Sequence, residues 1–461
     1  LATQASTSLL WLPFFNLGLG LNAAVLSGVL MIFRLWDAFS DPFAGNISDN
    51  ARTRWGRRKP FMVVAAVVTG LMFPGFWFLS DWLGPAGATV LFAVAGNEVS
   101  VLVVALAAYG VVFFTFYSFW SMPYYAVQME LTPNYDERTR VSGWISAFVN
   151  LNQLMGGAIL WLVGGGLFAT ATGHIDLPAG VKAVAIPLGV IIILAGLLPV
   201  IFVKTRVQLE KIGPLDKQGF WASAKQSAQC GPMWLLIGIS FFQVVASASV
   251  DQLGFYLNIF KVNAGDIGNA SYLEFVRKIC MLVAGVGLIP FWIWLAEKWD
   301  KKQIVMLLLG AGMFAQVLAY FCLRPDMPYL QILPSMFTSG VVSSIWLILP
   351  SMKADIMDYD ELRTGRRREA SLNSFYSWFI KAALTVSLGL VGVVIQHIAG
   401  IDPALAQQPE AVVDRLFYAF LIIPAVLFLV PVVLVVRYPL SRERMNQVRA
   451  ELEARRGTVP I

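Results

Sequence analysis

Apolar stretches of about twenty residues recur along nearly the whole chain, each closed by a short polar turn. A helix rising 1.5 Å per residue needs about 20 residues to cross the ~30 Å hydrocarbon core of a bilayer. The pattern predicts twelve such spans, at residues 1–23, 25–48, 59–80, 99–128, 140–168, 182–203, 231–257, 271–297, 303–323, 327–352, 368–398 and 411–436. A membrane β-barrel alternates its faces and so lacks unbroken apolar runs. The expected fold class is therefore an all-α membrane protein.

The longest polar stretch falls at residues 203–231 and divides the spans six and six. The implied organisation is a six-helix bundle at 1–203, a linker at 204–230, a second six-helix bundle at 231–437 and a tail at 438–461. Short internal similarities support two related halves. Met129-Glu-Leu-Thr-Pro-Asn-Tyr-Asp-Glu-Arg-Thr-Arg140 follows the fourth span, and Lys353-Ala-Asp-Ile-Met-Asp-Tyr-Asp-Glu-Leu-Arg363 follows the tenth. Trp55-Gly-Arg-Arg-Lys59 after the second span is echoed more weakly by Trp299-Asp-Lys-Lys302 after the eighth. Two six-helix halves in parallel repeat are the build of a major facilitator transporter.

Charge sets the orientation. With 57% hydrophobic and only 13% charged residues, the net charge of +6 lies in alternate turns, around residues 52–59, 138–140, 204–225, 298–302, 363–368 and from 437 onward. The intervening loops, including 86–97 and 400–410, are poor in lysine and arginine. The positive-inside rule then places both termini and the linker in the cytoplasm, and makes the basic groups a topology signal rather than a nucleic-acid surface. No cleavable leader is visible, and Leu1 already lies in an apolar segment, so the first span reads as lacking its start. The three cysteines sit in or beside apolar segments without metal spacing, and the two histidines fall near span ends. Nothing here assembles a nucleophile–base pair or a metalloenzyme motif, so an enzyme is not expected.

Against this apolar background a few ionisable residues stand out. Asp37 and Asp41 are four apart in the second span, on one helix face and roughly 12–18 Å from its polar end. Two buried carboxylates this close need a shared proton or a cation between them. A salt bridge from Arg34 to Asp37 is the purely structural alternative. Lys381 lies roughly 20 Å from the basic cluster at residues 366–368 and needs an anion or a polar cavity. Asp49, with the arginines after it, and the two Tyr-Asp-Glu loops suit a gate whose ion pairs form in one state and release in another. Tyr117, Ser118, Ser121, Tyr124 and Tyr125 give the fourth span a wettable face; Asn150, Asn152 and Gln153 offer the same in the fifth, or bond a neighbouring helix. Asp251, Arg277 and Lys278 read as an interfacial ion-pair set toward the outer ends of their spans. Trp346 is a candidate stacking platform.

The motif Arg34-x-Trp-Asp-x-x-x-Asp-Pro-x-x-Gly45, with the later Arg-x-Gly-Arg-Arg-x-Pro60, resembles the signature of the glycoside–pentoside–hexuronide:cation symporters, major facilitator proteins related to melibiose permease. The Glu130–Arg140 and Ala354–Glu369 segments are similar to two further motifs of that family, correctly spaced over nearly the whole chain. The resemblance implies symport coupled to Na⁺, Li⁺ or H⁺ by alternating access. It implies a cation site at Asp37 and Asp41 helped by Ser40 and Ser118. Sugar contacts would fall at Tyr117, Ser121, Tyr125, Trp346, Tyr376, Ser377 and Lys381, and Asp355 would belong to the cytoplasmic gate, to which the reading of the polar turns adds Arg34, Asp49, Arg138 and Asp358. The chain departs from melibiose-type members at Ser121, where they are acidic, at Ser40, where their sodium users carry asparagine, and near Ile145, where many members carry arginine.

The sequence thus leads us to expect a Na⁺- or H⁺-coupled symporter of a glycoside, uronide or other sugar-derived solute. A lysophospholipid or other amphipathic cargo is the alternative, and a membrane scaffold or sensor without flux the remote one. The expected partners are a small-molecule solute and the bilayer, with no nucleic acid, no organic cofactor and no metal beyond Na⁺. The expected state is a monomer in a bacterial cytoplasmic membrane.

Overall fold

The computed structural model describes residues 10–51, 53–55, 58–94, 96–130, 148, 151–152, 154–165, 168, 175–203, 228–364 and 369–456. Its helices are α1 (Ala23–Asn50), α2 (Lys59–Leu83), α3 (Val101–Glu130), α4 (Leu154–Gly164), α5 (Leu177–Phe202), α6 (Gly231–Leu257), α7 (Ile267–Gly287), α8 (Ile289–Lys298), α9 (Lys301–Cys322), α10 (Ile332–Thr364), α11 (Glu369–Val393), α12 (Glu410–Val436) and α13 (Arg442–Arg456). Nine helices among the described residues are long and apolar enough to cross a membrane. The protein is an integral membrane helix bundle.

Two compact units are present. One gathers Leu1–Gly213, Asn263–Lys278 and Leu388–Val412; the other gathers Pro214–Val262, Ile279–Ser387 and Val413–Ile461. In the first, α1 packs on α3, and α2 on both α3 and α5. Asn22 fixes the start of α1, its side-chain oxygen accepting from the Ala24 and Val25 amides at 2.9 and 3.2 Å. Trp11, Phe15, Phe33, Phe76 and Phe113 interlock as edge-to-face and tilted pairs at 4.5–5.9 Å. Lipid tails are as apolar as leucine, so helices in a membrane associate through close packing rather than hydrophobic exclusion. Glycines make that approach possible at two crossings. A Cβ on Gly70 of α2 would overlap Ile193 of α5 and stand 2.7 Å from the Gly189 carbonyl oxygen, while one on Gly189 would stand 2.6 Å from that of Gly70. A side chain on Gly110 of α3 would overlap the Phe33 ring of α1.

These contacts carry a prediction. Gly189→Val forces α2 and α5 apart and costs about 1–3 kcal/mol, read as a lower melting temperature in detergent. Gly28→Ala, where a Cβ meets nothing within 4 Å, leaves the melting temperature unchanged or raised.

In the second unit α10 packs against α6, α9 and α13. Leu236, Leu308, Met352, Phe428 and Val448 share one core. Asp300 caps α9 through a capping box with Gln303, and its other carboxylate oxygen accepts from the Arg442 amide at 3.1 Å. Lys302 donates to the Val436 and Tyr438 carbonyls at 2.7 and 3.3 Å. This junction positions α13, which lays Met445, Val448 and Leu452 onto the bundle. Burial beside Tyr438 pushes its phenol pKa up.

Four features differ from the sequence expectation. The loop expected at 86–97 contains a hairpin, Val90–Val94 paired antiparallel with Asn97–Ser100, turning where Gly96 adopts φ 80°. The span expected at 271–297 breaks between α7 and α8, where Pro290 sits at the start of the new helix. The tenth helix runs to Thr364, well past the expected 352. The tail expected from 438 holds α13, whose apolar residues three and four apart were masked by its charges.

Candidate functional site

Asp37 and Asp41 are buried, with 3% and 7% of their surface exposed. The facing helix α3 supplies hydroxyls. Ser118 Oγ donates to Asp37 Oδ1 at 3.3 Å, and the Ser40 and Ser118 hydroxyls lie 2.7 Å apart. Either hydroxyl can be the donor in that second bond, since Ser40 Oγ also lies 3.5 Å from the Asp37 carbonyl oxygen. Trp36 Nε1 donates to Thr115 Oγ1 at 2.8 Å one turn away, which locks the register between α1 and α3. Carboxylate and hydroxyl oxygens are the hard ligands that suit Na⁺, and a close carboxylate pair equally suits one shared proton. Pro42 follows Asp41 directly inside α1 and removes a backbone donor there.

Arg34 is half-buried one turn from Asp37. Of the other first-half candidates, Tyr117 and Ser121 are buried beside Ser118, while Tyr125 is exposed with its ring edge-on to Tyr124. Asp49 lies in the last turn of α1, its side chain outside the described residues; Arg138, Ile145, Asn150 and Gln153 lie outside them altogether.

Arg277 and Lys278 do not sit at the end of their span. They lie buried near the middle of Ile267–Trp292, and both reach Glu274. Arg277 binds that carboxylate through Nε at 2.8 Å and Nη2 at 2.5 Å, and Lys278 Nζ stands 3.7 Å away. Gly157 of α4 packs on the Lys278 stem. Sequence reading missed Glu274, although its spacing of three and four from two cations was the available signal.

In the second unit, Tyr376 of α11 is buried and donates to Ser240 Oγ of α6 at 2.7 Å. Ser377 and Lys381 are half-buried on the same helix, and Thr385 donates to the Lys381 carbonyl at 3.0 Å. Asp355, 5% exposed, pairs with Lys301 Nζ at 2.6 Å. Asp358 is half-buried one turn further along α10. Trp346 lies on α10 with its side chain outside the described residues. One residue that sequence reading assigned no role joins this set: Lys353 of α10 donates to Asn373 Oδ1 at 2.5 Å and lies 4.9 Å over the Tyr376 ring.

Comparison with known proteins agrees with this architecture. The sequence matches the family described as MFS/sugar transport protein over residues 2–442. It is 22% identical to a glucuronide carrier protein homolog of Escherichia coli, covering 98% of this chain and 92% of that one. It is 23% identical to the sodium-dependent lysophosphatidylcholine symporter 1 of Xenopus tropicalis, over 92% and 82%. Among solved structures, a bacterial homolog of the human lysosomal transporter Spinster superposes with a TM-score of 0.62 at 14% identity, over 98% and 94%. At that identity the likeness is one of fold.

Proposed function

We propose a cation-coupled symporter, from the premise that this chain belongs to the MFS/sugar transport protein family and is therefore a transporter rather than an enzyme. The observation that carries the coupling is the pair of buried carboxylates, Asp37 and Asp41, of which Asp37 accepts from the Ser118 hydroxyl, itself bonded to that of Ser40. A cation or proton removes one of the pair's two negative charges, and cargo binding and helix rearrangement follow from that change of charge. Tyr117, Ser121, Tyr125, Trp346, Tyr376, Ser377 and Lys381 are assigned to the cargo. Arg34, Asp49, Arg138, Asp355 and Asp358 are assigned to the gates. The chain is organised as two six-helix halves, 1–203 and 231–437, with both termini in the cytoplasm and the protein a monomer in a bacterial cytoplasmic membrane.

The cargo we favour is a sugar-derived solute, in keeping with the family description and with the glucuronide carrier homolog. A lysophospholipid is the second reading, favoured by the lysophosphatidylcholine symporter. The test is uptake into vesicles under an imposed Na⁺ or pH gradient, after a thermal-shift screen of glycosides, uronides and lysolipids. Gradient-driven accumulation of one class is expected. Downhill equilibration unaffected by either gradient would show a uniporter and overturn the coupling. Absence of flux for every bound solute would favour a sensor.

A further inference from the structure

Lys353 is held in an unusual way for a lysine near the polar end of a membrane helix. Its neighbour Lys301 is matched by a carboxylate, Asp355. Lys353 meets only a neutral amide oxygen, Asn373 Oδ1, and the face of Tyr376. Among the described residues no carboxylate pairs with it. The amide and ring support an ammonium without neutralising it, and they occupy one of its three N–H donors. The seat is rigid, since Tyr376 is tied to Ser240, whose hydroxyl also bonds the Leu236 carbonyl at 2.8 Å. Lys353 is only half-buried.

Two further observations mark this as a place for a ligand. Asn373, Ser377 and Lys381 recur every four residues on α11, so the helix face that holds Lys353 is the one carrying the second lysine. Gln243 lies three residues from Ser240 on α6, fully buried, with neither its amide nitrogen nor its oxygen hydrogen-bonded. A buried amide left without partners is costly, and polar groups of a solute would supply them.

We propose that Lys353, seated by Asn373 and Tyr376, recognises an anionic group on the cargo, a carboxylate or a phosphate, and makes the transporter select charged over neutral solutes. This deepens the symporter reading and rests on it. The carboxylate or phosphate oxygens accept the free N–H donors of Lys353 in charge-assisted hydrogen bonds. A neutral analogue leaves those donors unmatched and is rejected on the same ground.

The test measures uptake into vesicles of two matched pairs. One is 4-nitrophenyl β-D-glucuronide against 4-nitrophenyl β-D-glucoside; the other is lysophosphatidate against monoacylglycerol. Wild type takes up the charged member of one pair at least about tenfold faster than its neutral partner. The pair that shows it distinguishes a uronide from a lysolipid. Lys353→Gln brings the ratio close to one, and Lys353→Arg retains most of it. Should Lys353→Gln fail to fold, Asn373→Ala keeps the charge but loosens its seat, and lowers the ratio in the same direction. A ratio unchanged in these variants, or an equal fall for both members, would overturn the proposal. So would a wild type without preference for charge in either pair. In that case continued dependence of neutral-solute uptake on a cation gradient leaves the symporter reading standing.

Discussion

Asp37→Asn and Asp41→Asn each lower gradient-driven accumulation of cargo at least about a hundredfold, equivalent to roughly 3 kcal/mol, while the protein still folds and inserts. Asparagine keeps the size of the side chain and one acceptor oxygen, so the packing of α1 on α3 changes little. It removes the charge that makes a cation or a shared proton favourable between the two positions. The variants differ in their local effect. Asp37 accepts from Ser118, so Asp37→Asn also disturbs the Ser40–Ser118 pair, and Ser118→Ala reproduces part of its loss. Gradient-driven and exchange transport read the two roles separately: exchange of labelled for unlabelled cargo survives better than net accumulation when only the coupling step is damaged. Wild-type accumulation in both aspartate variants would remove the pair from the mechanism.

Removing Lys301 costs more stability than removing its partner. Asp355 has 7% of its side chain exposed and Lys301 31%. Lys301→Ala therefore leaves a carboxylate buried without its cation, at roughly 1–3 kcal/mol or more for a charged group. Asp355→Ala leaves a lysine that is partly in water already and can extend further into it. Melting temperatures of the two variants should rank in that order, and the double Ala variant should recover much of the loss of Lys301→Ala. In the gating role proposed for Asp355, both single variants also speed the opening that this pair restrains, visible as a raised turnover at saturating cargo. If both singles melt alike and the double is additive, no coupling energy joins the pair.

How much of this was legible in sequence follows from what a residue type announces about its surroundings. Asp37 and Asp41 were readable because an ionisable residue within an apolar run carries its own cost and needs no neighbour to be noticed. Ser118 and Ser40 were not, apart from the resemblance to a known family, because a hydroxyl sits in a membrane helix at little cost whether it binds anything or not. Lys353 was passed over because it opens a charged segment, Lys353 to Arg363, that looks like a solvated helix end. Its inward seat depends on Asn373 and Tyr376 of another helix, a tertiary fact with no local signature. Glu274 was missed for a different reason: a span expected to begin at 271 puts Arg277 and Lys278 near its end, whereas α7 begins at Ile267 and places them near its middle. The span count and the six-and-six division came from periodicity and charge. The break at Pro290, the hairpin at Val90–Ser100 and the docked helix α13 are decided by local backbone and packing choices that hydropathy averages away.

In the proposed mechanism Asp37 and Asp41 together hold the coupling cation. Its most direct test is the affinity of the purified protein for its cargo, titrated across Na⁺ concentration at fixed pH and across pH without Na⁺, in wild type and in Asp37→Asn and Asp41→Asn. One of the two variables is expected to tighten cargo binding in wild type, and neither to do so in either variant. A cation dependence that persists in both variants would contradict it.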